Sequence, residues 1–312
     1  MSHGRAEGWS AQAHVLSKKQ KRKEPSWYCL DLQRLCTASL VSRRLRDVAQ
    51  PILYHEFSPG YGDSWLSRQC TWSGRLFSFL RTLTRRPDLA KLVQGLHLDY
   101  RLLTSIAHKQ NEIEAALEDL ALIRGIDLPT SLEQFRSIRE QELMRPPRPS
   151  ADELVAMVLS CLPSLARLYI PYSIALNPPP TSALSAAGSL RLPLQTLEID
   201  ADGTNLRNGL GGILDMSIST LRTLDVDFFT SSDDEKPGFL NFFFPSLRNI
   251  NVTSSRMDGL DVKLLLSRCT GLEKFSYNCA SSTGCIRPSH IIASLSKHKE
   301  TLTTMRLGLQ ES

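Results

Sequence analysis

One six-residue phrase occurs seven times along the chain and constrains its fold more than any other feature. It is an apolar residue, two variable residues, an apolar residue, one variable residue and a third apolar residue. The instances are Val93-Gln-Gly-Leu96-His-Leu98, Leu165-Ala-Arg-Leu168-Tyr-Ile170, Leu194-Gln-Thr-Leu197-Glu-Ile199, Leu221-Arg-Thr-Leu224-Asp-Val226, Leu247-Arg-Asn-Ile250-Asn-Val252, Leu272-Glu-Lys-Phe275-Ser-Tyr277 and Leu302-Thr-Thr-Met305-Arg-Leu307. Between fourth positions 168, 197, 224, 250, 275 and 305 the steps are 29, 27, 26, 25 and 30 residues, and Leu96 stands 72 residues before Leu168. In a strand, side chains alternate faces, so the last two apolar residues of each phrase point the same way. Helix-like apolar runs separate the phrases, at 154–159, 262–266 and 291–295. One strand and one helix cannot bury an apolar face alone, but stacked neighbours can. Three anchors at about 1.5–3 kcal/mol each contribute roughly 5–9 kcal/mol per repeat before chain entropy is subtracted. Unrelated amphipathic units would not recur this regularly, so the phrase predicts an α/β solenoid.

The phrase at this period resembles the leucine-rich repeat, which implies a horseshoe with strands on its concave face. The repeats are degenerate. They lack the asparagine that such repeats carry a few residues after the strand, and Gly238–Pro245 leaves room for barely two helical turns.

Upstream of the repeats the reading is helical. Residues 1–26 are polar and include Lys18-Lys-Gln-Lys-Arg-Lys23, which reads as a disordered basic tail or, alternatively, a nuclear-import signal. From Asp31 the residues Leu32, Leu35, Leu40, Val41, Leu45 and Val48 recur at helical spacing until Pro51, which is expected to end the run. Further helices are predicted over 75–85, where Leu76, Phe79, Leu80 and Leu83 share a face, and over 111–124 and 131–143. The proline-rich stretch 144–150 reads as a linker. The chain thus divides into a basic tail (1–26), a helical segment (27–57), a helical connector carrying the first repeat strand and a helical insertion (58–150), and the repeat region (151–312).

The stretch Leu40-Val-Ser-Arg-Arg-Leu-Arg-Asp-Val-Ala-Gln-Pro-Ile-Leu-Tyr54 resembles the second half of an F-box. The continuation Arg86-Pro-Asp-Leu-Ala-Lys-Leu-Val-Gln-Gly-Leu-His-Leu98 is similar to the first strand after the F-box in fungal F-box/leucine-rich-repeat proteins. The chain departs from that pattern upstream of Leu32, where the Leu-Pro-acidic opening and first apolar helix of the motif are not found. The resemblance implies a substrate-recruiting subunit of a cullin-RING (SCF-type) ubiquitin ligase. It further implies that Leu32, Leu40, Val41 and Leu45 contact a Skp-family adaptor. The alternatives are that these residues pack against the first repeat, and that the chain is a repeat-based interaction scaffold with no ubiquitin role.

Composition narrows the classes. The net charge of +5 is uneven: residues 1–50 hold ten basic and four acidic residues, and the remainder hold twenty-seven and twenty-eight. Basicity confined to one end argues against a nucleic-acid-binding face. No run of eighteen apolar residues is present, so a membrane span is not expected. Seven cysteines without a C-x-x-C pair suggest reduced thiols in the cytoplasm or nucleus, with Cys161 and Cys269 as core residues. The seven histidines lack any G-x-S-x-G or H-E-x-x-H context, and Asn208-Gly-Leu-Gly-Gly212 lacks the Lys-Ser/Thr of a phosphate loop. No enzyme, metal or cofactor is expected.

Strand periodicity also nominates a substrate face. Between the anchors, Arg167, Tyr169, Glu198, Asp200, Asp225, Asp227, Asn249, Asn251, Lys274, Ser276, Asn278 and Arg306 are predicted to point outward. From these, Tyr169, Glu198, Asp200, Asp225, Asp227, Asn251 and Asn278 form the candidate substrate-binding set. Four carboxylates on adjacent strands suit a Lys/Arg-rich segment of a target protein, with Tyr169 as a stacking surface. The alternative is that exposed strand positions are simply polar.

Overall fold

The computed structural model describes residues 27–58, 75–98, 155, 158–171, 192–200, 211–227, 243–255, 259–279 and 286–308. The expected basic tail, the helices at 111–124 and 131–143 and the linker at 144–150 lie outside these residues. Two helices come first, α1 (Trp27–Val41) and α2 (Arg43–Leu53). They correspond to the single run expected from Asp31. Ser42 divides it: its backbone is extended, and its hydroxyl accepts a 3.2 Å hydrogen bond from the Leu45 N–H. A side chain that caps a helix start competes with helix continuation. Pro51 does not end the run either. It sits inside α2, and the Tyr54 N–H still closes the last turn onto the Gln50 carbonyl at 2.9 Å.

There follow β1 (Glu56–Phe57), α3 (Arg75–Arg85), α4 (Pro87–Ala90), β2 (Gly95–His97), β3 (Arg167–Pro171) and β4 (Thr196–Asp200). Next come α5 (Gly211–Ser217), β5 (Thr223–Asp227), β6 (Asn249–Ser255), α6 (Gly259–Ser267) and β7 (Lys274–Cys279). The chain continues through α7 (Pro288–Leu295), a 3-10 turn (Ser296–His298) and β8 (Thr304–Gly308). The Gly-rich stretch ending at Gly212 therefore leads into the short helix α5, and residues 243–248 carry a bridge from Phe244 to Cys269 in place of a helix.

All eight strands form one parallel sheet in sequential order. The fourth residues of the phrases align across it, from Leu96 through Leu168, Leu197, Leu224, Ile250 and Phe275 to Met305. One backbone device repeats at every step. A carbonyl two residues before that aligned position accepts two consecutive N–H groups from the next strand. His55 O takes Gln94 and Gly95; Gln94 O takes Ala166 and Arg167; Ala166 O takes Gln195 and Thr196. The series continues through Gln195, Arg222, Arg248 and Glu273, whose carbonyl receives Thr303 and Thr304. A second device uses hydroxyls just ahead of the phrase. Thr220 donates to the carbonyls of Leu192 and Leu194, Ser246 to Ser219, Thr270 to Pro245 and Thr301 to Leu272.

The core fills the face opposite the polar rows. Val93, Leu165, Leu194, Leu221, Leu247 and Leu272 are buried as a column of first positions. They pack with the in-register strand residues and with Ile213, Leu214, Val262, Leu265, Leu266, Ile291 and Leu295 of the helices. At the first edge α3 covers the sheet, with Phe79 stacked on Phe57 at 3.9 Å. The register slips between Val252 and Ser255 of β6, where Ser254 has φ 50°.

Candidate functional site

The polar residues of the strands fall into rows on the open face. The central row runs His97, Tyr169, Glu198, Asp225, Asn251, Ser276 and Arg306, one residue per strand from β2 to β8. A flanking row places Asp200 beside Asp227 and Asp227 beside Thr253. The other flank runs Glu56, Gly95, Arg167, Thr196, Thr223, Asn249, Lys274 and Thr304. Parallel strands lie about 4.8 Å apart, so neighbours in a row are within side-chain reach.

The rows order their chemistry along the sheet. At the first end, the His97 and Tyr169 rings stack in parallel at 4.0 Å. Beside them the Arg167 guanidinium lies 3.5 Å from the Glu56 carboxylate and 3.5 Å from His55 Nε2. The four carboxylates come next, on β4 and β5. Tyr169 donates its hydroxyl to Asp200 at 3.5 Å, and Thr253 donates to Asp227 at 2.8 Å. Amides and hydroxyls follow, with Asn249 Nδ2 donating to Thr223 Oγ1 at 3.1 Å. Lys274 and Arg306 close the face at its far end.

Electrostatics concentrates on β4 and β5. Burial among its neighbours pushes the Glu198 carboxyl up to about 7, and the adjacent Asp225 charge adds to this while Arg167 opposes it. Burial also raises Asp225, against a hydrogen bond from Asn251 that favours its ionised form. Among the described residues no group of three or more His, Cys, Asp and Glu is arranged to hold a metal ion.

Of the seven candidate substrate residues, Tyr169, Glu198, Asp200, Asp225, Asp227 and Asn251 are brought together on β3 to β6. Asn278 is set apart on β7, exposed and opposite Gly308. His97 and Glu56 join the group without having been named, and Arg167 joins it from the residues expected to point outward. The stack was legible in the phrase, since His97 occupies the same between-anchor position as Tyr169. Glu56 was hidden because β1 carries no complete phrase.

The candidate adaptor residues lie on the first two helices. Leu40, Val41 and Leu45 are 86%, 70% and 45% exposed. The side chain of Leu32 lies outside the described residues. Val48 and Ile52, at 64% and 55%, extend the same apolar surface along α2 at the spacing of one helix face, while Ala49 turns inward. Cys161 and Cys269 are buried thiols, and burial holds Cys269 up at about 12. Cys279 instead is disulfide-bonded, to a partner outside the described side chains, which departs from the expectation of reduced thiols throughout. Lack of a C-x-x-C motif does not prevent pairing across a loop. Among the described residues no helix is long and apolar enough to cross a membrane. No protein-family model, no curated protein and no solved structure matches this chain.

Proposed function

We propose that the chain is an F-box-like, leucine-rich-repeat substrate-recruiting subunit of a cullin-RING (SCF-type) ubiquitin ligase. In this reading α1 and α2 dock on a Skp-family adaptor, and the open sheet face holds a Lys/Arg-rich segment of a target protein. Its own role is binding, and the transfer chemistry belongs to its partners. The observation that carries the reading is the pair of consecutive helices presenting Leu40, Val41, Leu45, Val48 and Ile52 to solvent. A contiguous exposed apolar surface marks an interaction site. The residues that make it all lie in the stretch 40–54 that resembles the second half of an F-box.

The test is capture of the chain by a purified Skp-family adaptor, comparing wild type with Leu40→Asp/Val41→Asp. Each buried carboxylate would cost several kcal/mol at such a contact, so binding should vanish while the circular dichroism spectrum is kept. No capture of the wild type, where a complete F-box is captured, would refute the ligase role. The missing Leu-Pro-acidic opening favours the second reading, a repeat-based scaffold without ubiquitin function.

A further inference from the structure

The open face is bipolar. Across β4 and β5 it carries Glu198, Asp200, Asp225 and Asp227, and across β7 and β8 it carries Lys274 and Arg306. Between them the central row passes through the uncharged Asn251 and Ser276. Strand alternation places all of these side chains on one face, so their arrangement does not depend on which strand is last. Neither half is neutralised from within the face. Arg167, the base on β3, is engaged by Glu56, and the Asp225 charge bears on Glu198 in the neighbouring strand. Lys274 and Arg306 are exposed, and among the described residues they form no ion pair.

We propose that the face selects an extended target segment in which a Lys or Arg and an Asp or Glu stand four residues apart, laid across the strands from β4 and β5 to β7 and β8. The inference rests on the reading of this face as the target-binding surface, and adds to it the acidic half of the segment and the spacing. Asp225 and Arg306 lie three strands apart in the central row. That is about 14 Å at the backbone, and an extended chain advances about 3.3 Å per residue. Four residues is also an even step, so both charges point to the same side of the segment. The cation relieves the crowding of like charges on β4 and β5, and the carboxylate meets Lys274 and Arg306. A segment basic along its whole length would instead set cations against Lys274 and Arg306, a mismatch that the acidic residue removes.

The probes are three peptides with blocked ends and a neutral fluorophore, titrated with the full chain. The block peptide is Lys-Lys-Ser-Ser-Glu-Glu, the shuffled peptide of the same composition is Lys-Glu-Ser-Ser-Lys-Glu, and the basic peptide is Lys-Lys-Ser-Ser-Ser-Ser. The block peptide should bind several-fold more tightly than either of the others, the gain expected of a few exposed charge pairs. Lys274→Glu/Arg306→Glu should weaken the block peptide several-fold and strengthen the basic one. The milder Lys274→Gln/Arg306→Gln should bring those two peptides to the same affinity. All four substitutions fall at exposed positions, and unchanged circular dichroism will verify folding. If the basic peptide binds and the block peptide binds no more tightly than the shuffled one, the inference falls while the face keeps its target-binding role. If no peptide binds, that role falls and the inference with it. Sedimentation showing a dimer that Lys274→Glu/Arg306→Glu dissociates would also overturn the proposal, because a second copy would then occupy the face.

Discussion

The Glu56 carboxylate reaches over Gly95 to the Arg167 guanidinium, pairing β1 with β3 at 3.5 Å across an intervening strand. The bare glycine leaves room for this bridge. A Cβ at position 95 would lie 3.0 Å from Glu56 Cγ. Arg167 is also the charge that holds Glu198 down against burial and Asp225. Arg167→Gln should therefore move the Glu198 titration further above about 7. Carboxyl-carbon chemical shifts followed against pH would show it. An unmoved or lowered midpoint would contradict the arrangement.

Glu198 should also set a pH dependence of stability. Its folded value near 7 lies above the ordinary 4.5, so between those values the folded chain holds a proton that the unfolded chain has released. Stability from this group is present below the unfolded value and is lost as pH rises through the folded one. Glu198→Gln should flatten that decline and stabilise the protein at pH 8 by on the order of 2 kcal/mol. Urea midpoints at about pH 5 and 8 are the measurement, and a wild type equally stable at both would refute it.

Removal of a single hydroxyl should be felt between repeats. The single Thr220 hydroxyl proton is shared among the carbonyls of Leu194, Leu192 and Ser217, at 2.9, 3.1 and 3.1 Å. Thr220→Val keeps the shape and removes the one donor these carbonyls share, which should cost about 1 kcal/mol. Thr220→Ser should recover most of the loss. If the two variants are equally stable in urea, the hydroxyl ladder is incidental.

Capture of a Lys/Arg-rich target segment by the carboxylate rows should weaken with salt, because these charges are only part-buried and ions screen them over roughly 8–10 Å at ordinary ionic strength. It should strengthen from pH 6 to 8 as Glu198 releases its proton, with Asp225 raised in the same direction beside it. Asp225→Asn/Asp227→Asn should weaken capture and reduce its salt dependence, while Glu198→Gln should abolish the pH trend. A lysine- and arginine-rich peptide serves as the probe, and binding that is flat from about 50 to 300 mM salt would remove the acidic rows from the reading.

The aligned leucines made the sheet legible in advance, because period-two alternation and a fixed phrase dictate both strand position and facing. That is why Glu198 and Asp225 could be named as neighbours although 27 residues separate them. What escaped was whatever the phrase does not encode. In β1 aromatic residues replace the leucines: Tyr54 and Phe57 hold the first and fourth positions, and Ser58-Pro59 follows in place of the third anchor. The break at Ser42 was written in its own cap chemistry but masked by the helical periodicity running through it. The Glu56–Arg167 bridge depends on three residues from three distant segments, and no local pattern announces it.

The recurring carbonyl that gathers two N–H groups makes each turn of the chain an exchangeable cassette. Excising one complete unit of 25–30 residues would join a carbonyl to donors of the same form and return every side chain to its original face. Losing one residue within a strand would turn its anchors to solvent. Length in such a molecule can therefore change by whole units far more readily than by single residues. The acidic rows would then travel along the sheet as a block, and the distance between the apolar helices and the charged face becomes a quantity that descent can adjust in discrete steps.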